Sequence, residues 1–143
     1  MIISIIIVVI GIIIVAFLKD INSSKNDFKG KPMKEVFSTL IEYFNHGVFG
    51  GNVKIIERNM LNIILIHNVS SQHKVVMEYM KGELDIKWSW KYLHQELNHS
   101  ITIHDVLNLS EDKMREIAKE LDKEMAVKMK EHSDIINQMA YKE

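Results

Sequence analysis

The chain has 143 residues, with 18 basic and 19 acidic side chains, a formal net charge of -1 and no cysteine. Near-neutrality argues against nucleic acid as the main partner, because neutralising phosphates takes a basic surplus on one face. Without cysteine there are no disulfides, thiolate nucleophiles or cysteine-type zinc sites. A chain of this length is expected to form one domain that buries a core without such staples.

Residues 1–18 (MIISIIIVVIGIIIVAFL) carry no charged side chain, and only Ser4 and Gly11 interrupt the apolar run. As a helix it would be about 27 Å long, close to the roughly 30 Å hydrocarbon core of a bilayer. A cleaved signal peptide would show a basic stretch before the run and a small-x-small site after it. Here Val15-Ala16-Phe17-Leu18 passes straight into Lys19 and Asp20. A retained single-span anchor over 1–18 is the expectation, with the lipid bilayer as its partner. Lys19, Lys25, Lys29, Lys31 and Lys34 outnumber Asp20, Asp27 and Glu35 beside it. The positive-inside rule therefore puts the C-terminal side in the cytoplasm, at the cell membrane.

Residues 19–31 (KDINSSKNDFKGK) are polar and read as a short tether to a domain over 32–143. Pro32 suits the first turn of a helix. Val36, Phe37, Leu40, Ile41 and Phe44 then recur at helical spacing, making one apolar stripe from Met33 to His46. Gly47 is expected to close that helix in the left-handed conformation.

The period changes in the centre. Val53–Arg58, Leu61–His67, Lys74–Met80, Glu83–Tyr92 and His99–His104 are short and rich in β-branched and aromatic residues. Turn chemistry separates them, at Arg58-Asn59, Asn68 to Ser71, Lys81-Gly82 and His94 to Asn98. Short sequential connections predict an antiparallel meander of four or five strands, since parallel strands need longer crossovers. A long C-terminal helix follows. Ser110 can cap it, Leu109 and Met114 suit a hydrophobic staple, and Met114, Ile117, Ala118, Leu121 and Met125 share a face. The fold class is α+β, in the order anchor, helix, meander, long helix.

Chemistry-bearing patterns are sparse. His94, His99 and His104 recur at intervals of five, which places neighbours on opposite faces of a strand and off the i,i+4 spacing of helical metal pairs. No HExxH, GxSxG or phosphate-loop string is present. No catalytic residue, metal ligand or cofactor site is assigned. In Glu83–Tyr92 the apolar Leu84, Ile86, Trp88, Trp90 and Tyr92 alternate with Asp85, Lys87, Ser89 and Lys91. The plainest reading is a strand with one face under a helix. The functional one exposes Trp90 and Tyr92 as interface anchors. Met129, Ile135 and Ile136 continue the apolar side of the last helix to a point where it could overhang the sheet.

By elimination, the expected function is a membrane-tethered, non-enzymatic protein-binding module of adaptor, assembly or chaperone type. Trp90, Tyr92, Met129, Ile135 and Ile136 are its contact candidates, and its partner is another protein or a second copy. A small-ligand or lipid-binding sensor, an immunity or antitoxin-like binder, and a histidine-dependent hydrolase or metal enzyme are the alternatives, the last the weakest.

Overall fold

The structure is a computed structural model that describes residues 2–68 and 72–140. It opens with helix α1 (Ile2–Asp27), in which Ile5 to Leu18 are exposed apart from their helical neighbours. The helix is long and apolar enough to cross a membrane. It does not stop at the polar boundary. Residues 19–27 of the stretch read as a tether extend α1, because the Ser24 hydroxyl and the Asp27 carboxylate find partners on the domain. Phe28, 2% exposed, enters the core directly after it.

The apolar stripe that follows is buried as its spacing requires, with Phe37 and Phe44 fully enclosed. It is not one regular helix. Two short segments, α2 (Met33–Val36) and α3 (Ser38–Glu42), lead into a π-helical turn over Tyr43–Val48. Gly47 sits inside that turn and does not terminate it. A Cβ at this position would meet the Tyr43 ring at 3.4 Å, an ordinary van der Waals contact. The left-handed residues are Gly50 (φ 65°) and Gly51 (φ 84°), and the Gly51 N–H closes the segment on the Asn45 carbonyl at 2.6 Å.

Five strands form one antiparallel sheet in sequential order: β1 (Lys54–Asn59), β2 (Asn62–Asn68), β3 (Gln72–Met80), β4 (Glu83–Tyr92) and β5 (Gln95–Ile103). The β3–β4 hairpin turns on Lys81 (φ 54°) and Gly82 (φ 83°), the paired left-handed geometry that matches strand twist. For the β4–β5 connection the sequence predicts a polar stretch from His94 to Asn98. Instead it is equally tight, turning on Leu93 (φ 44°) and His94 (φ 67°), so β5 begins at Gln95. In the β1–β2 hairpin the turn is Met60-Leu61, two positions beyond Arg58-Asn59, and the Asn59 side chain accepts from the Leu61 N–H at 2.8 Å. The separator over 69–71 lies outside the described residues.

Helix α4 (Glu111–Ala140) runs unbroken for 30 residues, about 45 Å. Ser110 caps it, its hydroxyl accepting from the Lys113 N–H at 3.2 Å. Met114, Ala118, Leu121, Met125 and Ile136 are buried along one side, and Met129 is half-buried against the core. The helices share one face of the sheet. There Ile63, Leu65, Val75, Met77, Tyr79, Leu84, Ile86 and Trp88 are all 1% exposed or less. Each large side chain enclosed in this way contributes about 1.5–3 kcal/mol relative to exposure. Aromatic rings knit the layers together: Phe28 lies 4.7 Å from Tyr79, and Phe44 meets Trp88 edge-on at 5.6 Å.

Candidate functional site

Strand alternation sorts each strand's residues onto two faces, and only one face is covered. The register aligns Ile64, Val76, Lys87 and Ser100 across the other, with Asn62, Glu78, Asp85 and Thr102 in the next row. Ile66, Lys74, Ser89 and Asn98 make a further row, and Gln72, Lys91 and Glu96 stand beyond it. This open face has two parts. Ile56, Ile64, Ile66 and Val76 form an aliphatic strip over β1 to β3, with Ile64 only 4% exposed between its neighbours. Over β3 to β5 the surface is charged and hydroxylic, and Lys74, Glu78, Asp85, Lys87 and Glu96 line a concavity of 390 Å³.

That polar half is preorganised by cross-strand pairs. The Ser89 hydroxyl donates to Asn98 Oδ1 at 2.5 Å, and the Thr102 hydroxyl to Asp85 Oδ1 at 2.5 Å. Lysines and carboxylates alternate over it, so it offers both signs of charge to a polar partner and concentrates neither.

No protein-family model, curated protein or solved structure matches this chain.

The sequence-derived contact candidates lie mainly on the covered side. Trp90 is 7% exposed, stacked on Tyr92 at 5.2 Å and met edge-on by His132 of α4 at 5.9 Å. Tyr92 and Met129 are half-buried, and Ile136 is 8% exposed. Ile135, 51% exposed, points outward. The structure thus brings the end of β4 and the end of α4 together, leaving Ile135 the most accessible of the five. The overhang of α4 is correspondingly short, since His132 and Ile136 still pack, while Val127, Ile135 and Met139 are exposed.

The histidines at intervals of five are dispersed. His94 occupies the β4–β5 turn, and His104 Nδ1 pairs with Glu83 at 2.6 Å. His99 lies between two helical side chains, with Nε2 2.9 Å from Glu124 and Nδ1 3.0 Å from the Lys128 ammonium. A neutral ring fits this setting, donating from Nε2 and accepting at Nδ1. These contacts draw Glu124 and Lys128 toward the sheet. Among the described residues no group of three or more His, Asp or Glu side chains converges to hold a metal ion.

Sequence reasoning missed a different imidazole pair. His67 and His73 face each other across β2 and β3, with ring centres 5.9 Å apart. Phe49 stacks on His67 at 5.0 Å, and the buried Trp88 indole donates to His73 Nδ1 at 3.2 Å. Burial, and then the neighbouring His67, push His73 down to about 4. The signal was available in the sequence, because His67 and His73 stand three positions either side of residue 70, between the two predicted strands. On the helical side, Tyr43 and Asp122 are hydrogen-bonded. Burial raises both groups, and the carboxylate raises the phenol further.

Proposed function

We propose that the protein is a membrane-tethered, non-enzymatic protein-binding module that presents the open face of its sheet to another protein or to a second copy of itself. One observation carries this reading: the helices all gather on one face of a five-stranded sheet and leave the other as a broad, ordered, mixed apolar and charged surface. Protein interfaces combine an apolar core with a polar, solvent-accessible rim, and the aliphatic strip beside a polar field allows that division. Residues such as Ile66, Lys74, Lys87 and Ser100 make the contact surface, while Trp90, Met129 and Ile136 help to hold α4 on the sheet.

The apolar part of α1 supplies the tether, and the lysines that follow it favour a cytoplasmic domain. Confinement at a membrane raises effective concentration, so a weak docking face suffices. Site-specific photocrosslinking in intact cells tests the proposal, with the probe at Lys87 or Ser100 and, for comparison, at Lys123 on the far side of α4. Discrete adducts from the sheet positions and none from Lys123 are expected. No adduct from either sheet position would remove this face as the binding surface. Protease protection of a C-terminal tag checks the orientation, and digestion without lysis would place the domain outside the cell.

A further inference from the structure

The turns at one end of the sheet lie beside the helix that leaves the domain. The Ser24 hydroxyl accepts from the Lys81 N–H at 2.9 Å, and the Lys81 ammonium reaches Asp20 at 2.7 Å. The Tyr79 hydroxyl meets Asp27 further back along both elements. Going from Tyr79 near the end of β3 to Lys81 in the turn therefore follows α1 from Asp27 back toward its apolar part. Two backbone hydrogen bonds bring other connections to the same end. Tyr79 N–H donates to the Leu61 carbonyl at 2.9 Å, and Val106 N–H to the Gly82 carbonyl at 3.3 Å.

Each of those connections carries an exposed apolar side chain, Met60 (38% exposed) in the first and Leu107 (36%) in the second. Neither belongs to the core cluster; Met60 adjoins Leu61, which is bonded to Tyr79, and Leu107 adjoins Val106, which is bonded to Gly82. Along the helix from Leu18, the last residue of the apolar run, Asp20, which holds the Lys81 ammonium, lies about 3 Å away and Ser24 about 9 Å. A headgroup layer is about 5–8 Å deep on each side of the hydrocarbon. We infer that this end of the domain, Met60, Lys81 and Leu107, seats in the headgroup layer of the same bilayer that α1 spans, with the two apolar side chains directed toward the acyl boundary. The occupant follows from continuity, since the lipid around the end of α1 is the surface these turns meet first. Apolar tips with a lysine between them suit that interface, where chain methylenes lie beneath phosphate groups. The domain then rests on the membrane in one orientation, and its β4–β5 turn, carrying Leu93, stands about 30 Å away at the far end of β4.

The inference rests on the reading of α1 as a membrane span, and the test separates the two. Because the chain has no cysteine, single substitutions accept one label each. Met60→Cys, Leu107→Cys, Leu93→Cys and Ile10→Cys would each carry an environment-sensitive fluorophore, in full-length protein reconstituted into phosphatidylcholine–phosphatidylglycerol vesicles. Lipids with quenchers at shallow or deep positions report depth. Expected are a blue shift and shallow quenching at 60 and 107, aqueous emission at 93, and deep quenching at 10. Deep quenching at 10 with aqueous emission at 60 and 107 would overturn the seating and leave the span intact. Absence of deep quenching at 10 would overturn the span itself. Equal quenching at 93 and 60 would mean that the domain lies in another orientation, and would also overturn the inference.

Discussion

The Tyr79 hydroxyl donates a 2.7 Å hydrogen bond to the Asp27 carboxylate, joining the middle strand of the sheet to the last residue of the first helix. Tyr79 has no exposed surface, and its phenol is raised first by burial and then by this carboxylate. With Ser24 and Asp20 on Lys81, the contact makes α1 a rigid continuation of the domain. Tyr79→Phe keeps the ring packing and removes the bond, so a loss of about 1–2 kcal/mol is expected. Urea unfolding of the full-length protein in detergent measures it. A midpoint shift with unchanged slope is the expected form, and no shift would show that the bond adds nothing to stability.

Acid should weaken the fold through His73. Only the neutral ring can accept the Trp88 indole N–H at Nδ1, and burial, then His67, lower the group from 6.5 to about 4. The folded pKa lies below the unfolded value, so folding favours the neutral form. Stability is therefore complete above pH 6.5 and declines as pH falls toward about 4. Denaturation midpoints followed by tryptophan emission across that window should fall for the natural chain and fall less for His73→Gln. Equal slopes in the two proteins would assign the acid sensitivity to other groups.

The β4–β5 turn holds two side-chain-bearing residues in the left-handed region, Leu93 and His94. That conformation costs about 1–2 kcal/mol for an ordinary residue and little for asparagine or glycine. Leu93→Asn combined with His94→Gly is expected to raise the unfolding free energy by about 1–2 kcal/mol without altering the sheet. A lowered midpoint would mean that Leu93 makes stabilising contacts that outweigh the strain.

Trp90 and Ile135 should separate packing from surface. Trp90 lies between Tyr92 and His132, and Trp90→Ala is expected to cost about 3–5 kcal/mol. Ile135 is half exposed, and Ile135→Ala should stay within about 0.5 kcal/mol. Thermal unfolding of the two variants side by side decides the matter. A stable Trp90→Ala protein would return that ring to the candidate binding surface.

The apolar helix, the strands and the long final helix were legible in the sequence because each follows from a period. Every second residue of Glu83–Tyr92 is apolar, and every third or fourth from Met114 to Met125, and the sheet and α4 bury those positions. Lys81-Gly82 likewise declared its hairpin, since a glycine with φ 83° is what such a turn demands. Periodicity tells which residues share a face but not what covers that face. Only the tertiary structure decided that α4 lies over Trp90 and buries its own Ile136, that one sheet face stays open, and that residues 19–27 remain helical. The last depends on Ser24 and Asp27 meeting Lys81 and Tyr79 more than fifty positions away. The His67–His73 pair depends on β-register, which is set by the whole sheet and changes face with a slip of one residue. Local chemistry determined the elements, and long-range contacts determined which of their surfaces remain for a partner.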